Sequence, residues 1–346
     1  MKQSFLLSIL VTGVGFLLPV LLSPPRLGAQ ETPEAPPAPA AAAPVRDRSD
    51  IQVLDGSVVL AVQTEAQITE MTMAEYLPLA MAAEMPAAFS DEALKAQAVA
   101  LRTYALRYRA NRKAAHPEAD VCSDPGCCAA LETEEHLRSR WGENYGVYME
   151  KLSAAAAATD GQYLVWEDEP ALTVFHASSL DVTEDGAALG TALPYLVSVS
   201  TPETPETVQN LCTTVEVSAA DFAATVTRTV PEASLPEDDP ASWVGTVSLD
   251  GAGRVSQAVI GGASVSGQTL RQMFSLRSTD FTLAWDGEGQ RFLFRVSGYG
   301  HGMGMSQHGA NLMAKAGKSY GEILEHYYPG TELVMAVLTD SAGDSF

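Results

Sequence analysis

The sequence predicts an α+β domain, helical in its first half and β-rich in its second, behind an apolar N-terminal segment and a Pro/Ala stretch. Three observations carry this. Apolar residues recur at helical spacing through most of residues 73–157. Residues 244–294 alternate β-type segments with glycine turns. Residues 5–22 are almost wholly apolar and are followed by proline- and alanine-rich sequence. The 346 residues carry 21 basic and 43 acidic side chains, a net of −22. That balance argues against a nucleic-acid partner, because phosphate binding needs clustered Lys and Arg. A content of 46% apolar and 18% charged residues is that of a globular chain. One segment alone is long and apolar enough to meet a bilayer, which argues against a polytopic membrane protein. Four cysteines are too few to build a disulfide scaffold of this size.

Residues 1–29 read as a signal peptide or a membrane anchor. The run is longer than the ~7–15 residues of a signal-peptide core and about as short as a spanning helix can be. Leu27 is large for a cleavage site, so the anchor is favoured. Either reading places the remainder outside the cytoplasm, where disulfides are allowed. Residues 30–48 (QETPEAPPAPAAAAP at their start) form a Pro/Ala linker of extended polyproline II type. A folded domain follows over residues 49–335, with a tail at 336–346.

Within the domain, residues 51–62 predict a hairpin about Asp55-Gly56. Residues 73–84 predict a helix, with Pro78 marking a kink or a later start and Pro86 ending it. Ser90 is the expected N-cap of a second helix to Asn111, stapled by Phe89 on Leu94, with Leu94, Ala98, Leu101, Ala105 and Tyr108 as its buried stripe. Residues 134–157 predict one helix. Residues 161–175 predict two strands about Glu167-Asp168-Glu169, and residues 196–199 another strand. Residues 201–239, rich in Pro, Glu and Thr, read as peripheral, and residues 311–327 as a closing helix stopped by Pro329-Gly330.

Three constellations carry chemistry. Glu84 falls in the last turn of its helix among Met81, Ala82, Ala83, Met85 and Pro86. The negative helix end and the apolar surroundings both disfavour an ionised carboxylate, which suits a general acid. His116, Cys122 and Cys128 are spaced six and six in a Pro/Gly loop, enough for three sides of a zinc tetrahedron. Extended backbone points the adjacent Cys127 away from Cys128, so one of the two is expected to bind metal. A disulfide from Cys122 to Cys127 or Cys128 is the competing reading. Residues 298–307 alternate glycine with larger side chains, suiting a loop that lines a cleft.

Taken together, these blocks resemble the stage II sporulation protein D (SpoIID) family of lytic transglycosylases. The resemblance rests on Glu75-Tyr76-Leu77, on Ala82 to Pro86, on Glu92 to Ala100, and on Arg102-Thr103-Tyr104. It continues through His116, Cys122, Cys128, His176-Ala177-Ser178-Ser179 and Pro194-Tyr195-Leu196, and closes with Gly300 to Ala310 and Tyr327 to Gly330. It implies a single extracytoplasmic SpoIID-like domain that cleaves peptide-free peptidoglycan glycan strands during engulfment or wall remodelling. Glu84 is then the catalytic acid and base. Arg102, Tyr104, Ser178, Ser179 and Gln307 are cleft residues, and His116, Cys122 and Cys128 ligate a zinc that is structural. The implied partners are the glycan, a cell-wall amidase and engulfment proteins, with membrane contact through the N-terminal segment only. The alternative is a non-catalytic wall-binding enhancer of an amidase; a zinc hydrolase acting on wall peptide is a further rival. One departure bears on the choice. The family follows its serines with two glycines, whereas here Leu180-Asp181 stand in their place, so that loop is expected to take another shape. Cys127 also stands where a histidine is common.

Overall fold

The computed structural model describes residues 55–335, except 66, 191 and 192. The N-terminal segment, the linker and the tail lie outside the described residues. Among those described, no helix is long and apolar enough to cross a membrane.

Strands β1 (Val59–Gln63) and β2 (Ile68–Thr72) pair antiparallel, Val59 opposite Thr72 and Gln63 opposite Ile68. The hairpin thus falls one strand later than the sequence predicted. Asp55-Gly56 belongs to a 3-10 turn (Asp55–Ser57), and Asp55 is buried in an ion pair. β2 runs into α1 (Met73–Glu84) through a capping box. Thr72 accepts from the Glu75 amide, and the Glu75 carboxylate accepts from the Thr72 amide at 2.8 Å. Pro78 lies inside α1 without delaying its start. Pro86 ends it: Met85, barred from the helical region by the following proline, is extended at φ −131° and ψ 137°.

Helix α2 (Asp91–Ala110) begins after Ser90, as expected, although the Ser90 hydroxyl makes no capping bond. Residues 93–105 of α2 are buried on almost every side, not along one stripe, because α1, α4 (Tyr145–Ala157), α7 (Gln307–Lys315), α8 (Tyr320–Tyr327) and β4 (Gln162–Trp166) all pack on it. Its alanines let these neighbours approach closely. β3 (Val121–Cys122) adds to β1 in parallel. The single helix expected over residues 134–157 is two, α3 (Glu134–Trp141) and α4, because Gly142 turns the chain at φ +53°. Glu167 and Asp168, both left-handed, reverse the chain from β4 into the two-residue β5 (Glu169–Pro170). β6 (Phe175–His176) pairs in parallel with β13 (Met305–Ser306), whereas residues 196–199 are irregular. Residues 311–327 are likewise divided between α7 and α8 at Gly317, φ +90°. β14 (Glu332–Met335) closes on β4.

The largest correction concerns residues 201–239. They supply β7 (Cys212–Ser218) and α5 (Ala219–Thr229), which found a second hydrophobic core. β7 pairs with β12 (Arg291–Ser297), which pairs with β11 (Phe281–Asp286). β8 (Val244–Leu249), β9 (Val255–Ile260) and β10 (Ala263–Ser266), followed by α6 (Gly267–Met273), complete this part. Phe222 stacks on Phe292 at 4.0 Å and on Phe274 at 5.0 Å. Few aromatics over 201–239 therefore did not mean a peripheral segment; one Phe four residues before Val226 suffices to bury a helix face.

The loop with Leu180-Asp181 is a tight turn. Asp181 itself adopts φ +61°, a left-handed conformation reached without glycine. Aspartate is among the non-glycine residues that tolerate this region. The Asp181 carbonyl accepts from the Thr201 amide at 2.9 Å, which holds the turn.

Candidate active site

Glu84 is the last residue of α1 and is half-buried. Its Oε1 accepts a hydrogen bond from the Ala130 amide at 2.6 Å. Burial pushes the carboxyl above its ordinary range, against the opposing pull of the Ala130 amide and of the Gln307 side chain. Gln307, the first residue of α7, is buried, and its Nε2 makes no hydrogen bond of normal geometry among the described residues. The structure thus brings Glu84 and Gln307 together. Glu84 lines a cavity of about 340 Å³ with residues 82–87, Arg140 and Trp141. Sequence reasoning missed Ala130, Arg140 and Trp141. A backbone donor leaves no side-chain signature, and Arg140-Trp141 ends a helix that reads as a solvated surface.

Two residues before Ala130 lies the cysteine cluster. The ligating atoms of His116, Cys122, Cys127 and Cys128 lie within 4.8 Å of one another. One of the adjacent cysteines is expected from the sequence to bind metal; here the sulfurs of both lie in the cluster. The backbone is turned, not extended: the amides of Cys127 and Cys128 both donate to the Asp124 carbonyl, at 3.0 and 2.8 Å, and their sulfurs come to 4.0 Å. All are free thiols. His116 Nδ1 donates to the Ala119 carbonyl at 3.0 Å, leaving Nε2 as the lone-pair nitrogen 3.2 Å from Cys128 Sγ. Such a second bond is what fixes a metal-binding tautomer. Burial opposes ionisation of Cys128 but is outweighed by Cys122, Lys113 and His116, which hold its thiol below the ordinary range. Burial pushes Cys122 up to about 12. The Tyr76 phenol is fully buried, and burial raises it first, then the nearby Cys128 and Glu84.

Tyr104 belongs to this cluster and not to the cavity wall. Its hydroxyl donates to the Cys127 carbonyl at 3.3 Å and accepts from Lys113 at 2.8 Å. Arg102 stands apart as well. At 1% exposure it is spent on Asp55 (2.7 and 2.6 Å) and on the Gln162 carbonyl at 3.0 Å, which leaves no face for a ligand.

Ser178 and Ser179 are buried in a polar network with His176, Arg254 and Glu203. The Ser178 backbone pairs with Tyr299 of the glycine-rich loop. The Ser179 hydroxyl donates to His176 Nε2 at 2.6 Å and accepts from Arg254 at 3.0 Å, while His176 Nδ1 donates to the Met303 carbonyl. Burial pushes His176 well below the ordinary imidazole range. Arg254 comes from β8–β9 and lies flat on Gly302, where a Cβ would stand 2.6 Å from its guanidinium carbon. The second core therefore bolts the serine loop to the glycine loop that leads into α7. Glu203 accepts from the Ser179 amide at 3.0 Å and from the Ser306 hydroxyl, yet burial pushes it up to about 7. A carboxyl raised by folding stabilises the protein below its unfolded value, 4.5, and that contribution is lost as pH rises through about 7. Urea unfolding of Glu203→Gln should therefore lack a loss that wild type shows between pH 5 and pH 8, on the order of 1–3 kcal/mol.

Comparison with known proteins decides what this arrangement belongs to. The family described as Stage II sporulation protein matches residues 62–166, the segment carrying Glu84 and the cysteine cluster. The stage II sporulation protein D of Bacillus subtilis (strain 168) is 33% identical over 272 residues, covering 77% of this chain and 75% of that protein. The chain belongs to the stage II sporulation protein D family. The protein of the same name from Bacillus amyloliquefaciens is 33% identical over 288 residues, 81% of this chain and 77% of its own. An amidase enhancer of Bacillus subtilis is more distant, 26% identical over 300 residues, 72% of this chain and 39% of that protein. Of the family positions named in the sequence analysis, Glu84 lines the cavity and is approached by the Gln307 side chain, His116, Cys122 and Cys128 meet with Cys127, and Ser179 is linked through Glu203 to Ser306, the residue before Gln307. A SpoIID chain thus gathers around one glutamate groups drawn from both ends of the domain.

Proposed function

We propose that this chain is a lytic transglycosylase acting outside the cytoplasm, cleaving peptide-free peptidoglycan glycan to 1,6-anhydro-muramyl ends during engulfment or wall remodelling. The observation that carries the reading is that Glu84 is the one carboxylate among the described residues lining its cavity. Hydrolysis of a glycoside ordinarily needs two. With one, Glu84 gives its proton to the bridging oxygen as the C1–O bond breaks. The resulting carboxylate then takes the proton of the sugar's own C6 hydroxyl as that oxygen bonds to C1. Water is not consumed, and the internal nucleophile needs no second activating group. The Ala130 amide holds Oε1, which leaves Oε2 for the substrate. The test is product analysis by mass: amidase-treated glycan should yield anhydro ends, intact peptide-bearing glycan should yield few, and reducing ends would sink the mechanism. Glycan bound with no product released would favour the second reading, a wall-binding enhancer of an amidase, to which the amidase enhancer relative lends support.

The cysteine cluster fits zinc: three sulfurs and one imidazole nitrogen converge, and the histidine tautomer is set. Four protein donors make a closed, structural set. When bound, the metal would hold the loop and so hold the Ala130 amide on Glu84. Elemental analysis of reduced protein should find one zinc per chain, Cys128→Ser should lose it and Cys127→Ser should bind it more weakly. Chelation should lower Tm by about 5 °C or more. Well-folded wild type without zinc would reject the assignment. The N-terminal segment as membrane anchor, and an amidase and engulfment proteins as partners, complete the proposal.

A further inference from the structure

We propose that Trp141 is a sugar-binding platform for the glycan and that Arg140 is its positioning residue; the inference rests on the transglycosylase reading and deepens it. Helix α3 is polar, and only Leu137 of its eight residues is buried; the indole of Trp141 at its end packs against the edge of the core and leaves part of its ring open. Trp141 is half-exposed and lines the same cavity as Glu84. Two further half-exposed rings stand against it, Tyr148 edge-on at 5.3 Å and Tyr145 at 6.4 Å. Rings left part-open beside an acid suit a pyranose, whose C–H faces are apolar and whose rim is polar.

The platform is held in register with the acid. Arg140 Nη2 donates to the Ala82 carbonyl at 2.8 Å, in the turn of α1 that carries Glu84. Its Nη1 pairs with Glu132 at 2.9 Å, and its guanidinium lies 5.1 Å over the indole. One side chain thus ties the indole, the end of α1 and the chain next to the cysteine loop. Fixing a sugar ring against this wall would set the glycosidic oxygen relative to Glu84, and a ring bound in a prearranged place costs less entropy at the reacting bond. Gly142, in the left-handed region at φ +53°, turns the chain directly after Trp141 and ends α3 there.

The test separates binding from turnover by working in Glu84→Gln. Calorimetric titration with peptide-free glycan oligosaccharide should show Trp141→Ala in that background about tenfold weaker or more, with Trp141→Phe close to the parent. The glycan should change the indole fluorescence of Glu84→Gln and should not change it in Glu84→Gln with Trp141→Phe. Arg140→Met should weaken glycan binding while leaving Tm near the parent value. Affinity within about twofold in Trp141→Ala at unchanged Tm overturns the proposal, as does absence of glycan binding by Glu84→Gln itself or a fluorescence response that persists without Trp141. Trp141-dependent binding by a wild type that releases no anhydro ends would support the platform and retire the transglycosylase reading instead.

Discussion

Glu84→Gln should reduce release of anhydro ends by about 10²–10⁴-fold, the range for removing a positioned acid–base group. Glutamine keeps the shape and can still accept from the Ala130 amide through its carbonyl, so the loss reports the proton and not the fold. Wild type and variant should unfold at similar urea midpoints. The pH profile gives an independent check. An acid catalyst must hold its proton, and burial raises the Glu84 value. The working form therefore persists to higher pH than for an ordinary glutamate, and the rate should fall as pH climbs through that raised value. The residual rate of Glu84→Gln should show no such alkaline limb. A variant within tenfold of wild type would remove Glu84 from the chemistry.

Asp55→Ala should cost about 3–5 kcal/mol of stability, measured by urea unfolding. Asp55 is the carboxylate partner of a fully buried Arg102, with Nε and Nη2 bonded to its two oxygens. Removing the acid leaves a guanidinium without countercharge in the core, beside carbonyls of residues 156 and 162 that cannot neutralise it. Replacing both partners with apolar residues should recover much of the loss, since burying a pair costs desolvation that an apolar pair avoids. If Arg102 were instead a ligand contact, Asp55→Ala would alter glycan affinity and leave stability nearly unchanged. The two outcomes separate a core role from a cleft role for the same residue.

Much of the first half was legible because its signals are local. Helical spacing over residues 73–84 and the stop at Pro86 put Glu84 in a final turn, a reading that needed only rules acting over a few residues. The apolar flank of Glu84 likewise foretold that burial favours its protonated form. The 134–157 segment was read as one helix because Gly142 is a weak breaker until a left-handed φ is required of it. The weight of residues 201–239 was hidden because core membership depends on what packs against Phe222, and that comes from β12 some seventy residues later.

The site divides in the same way. Sequence alone settled which residues could do chemistry: a carboxyl in a greasy helix end, a histidine and thiols at short spacing, and glycines where backbones must touch. Tertiary structure decided who meets whom. It turned Cys127 inward beside Cys128, withdrew Arg102 into an ion pair, placed Trp141 at the cavity, brought Gln307 to Glu84, and set an amide forty-six residues downstream on the Glu84 oxygen. Periodicity and turn chemistry act along the chain over a turn or two, whereas a hydrogen bond or a charge pair acts through space once the cores have closed.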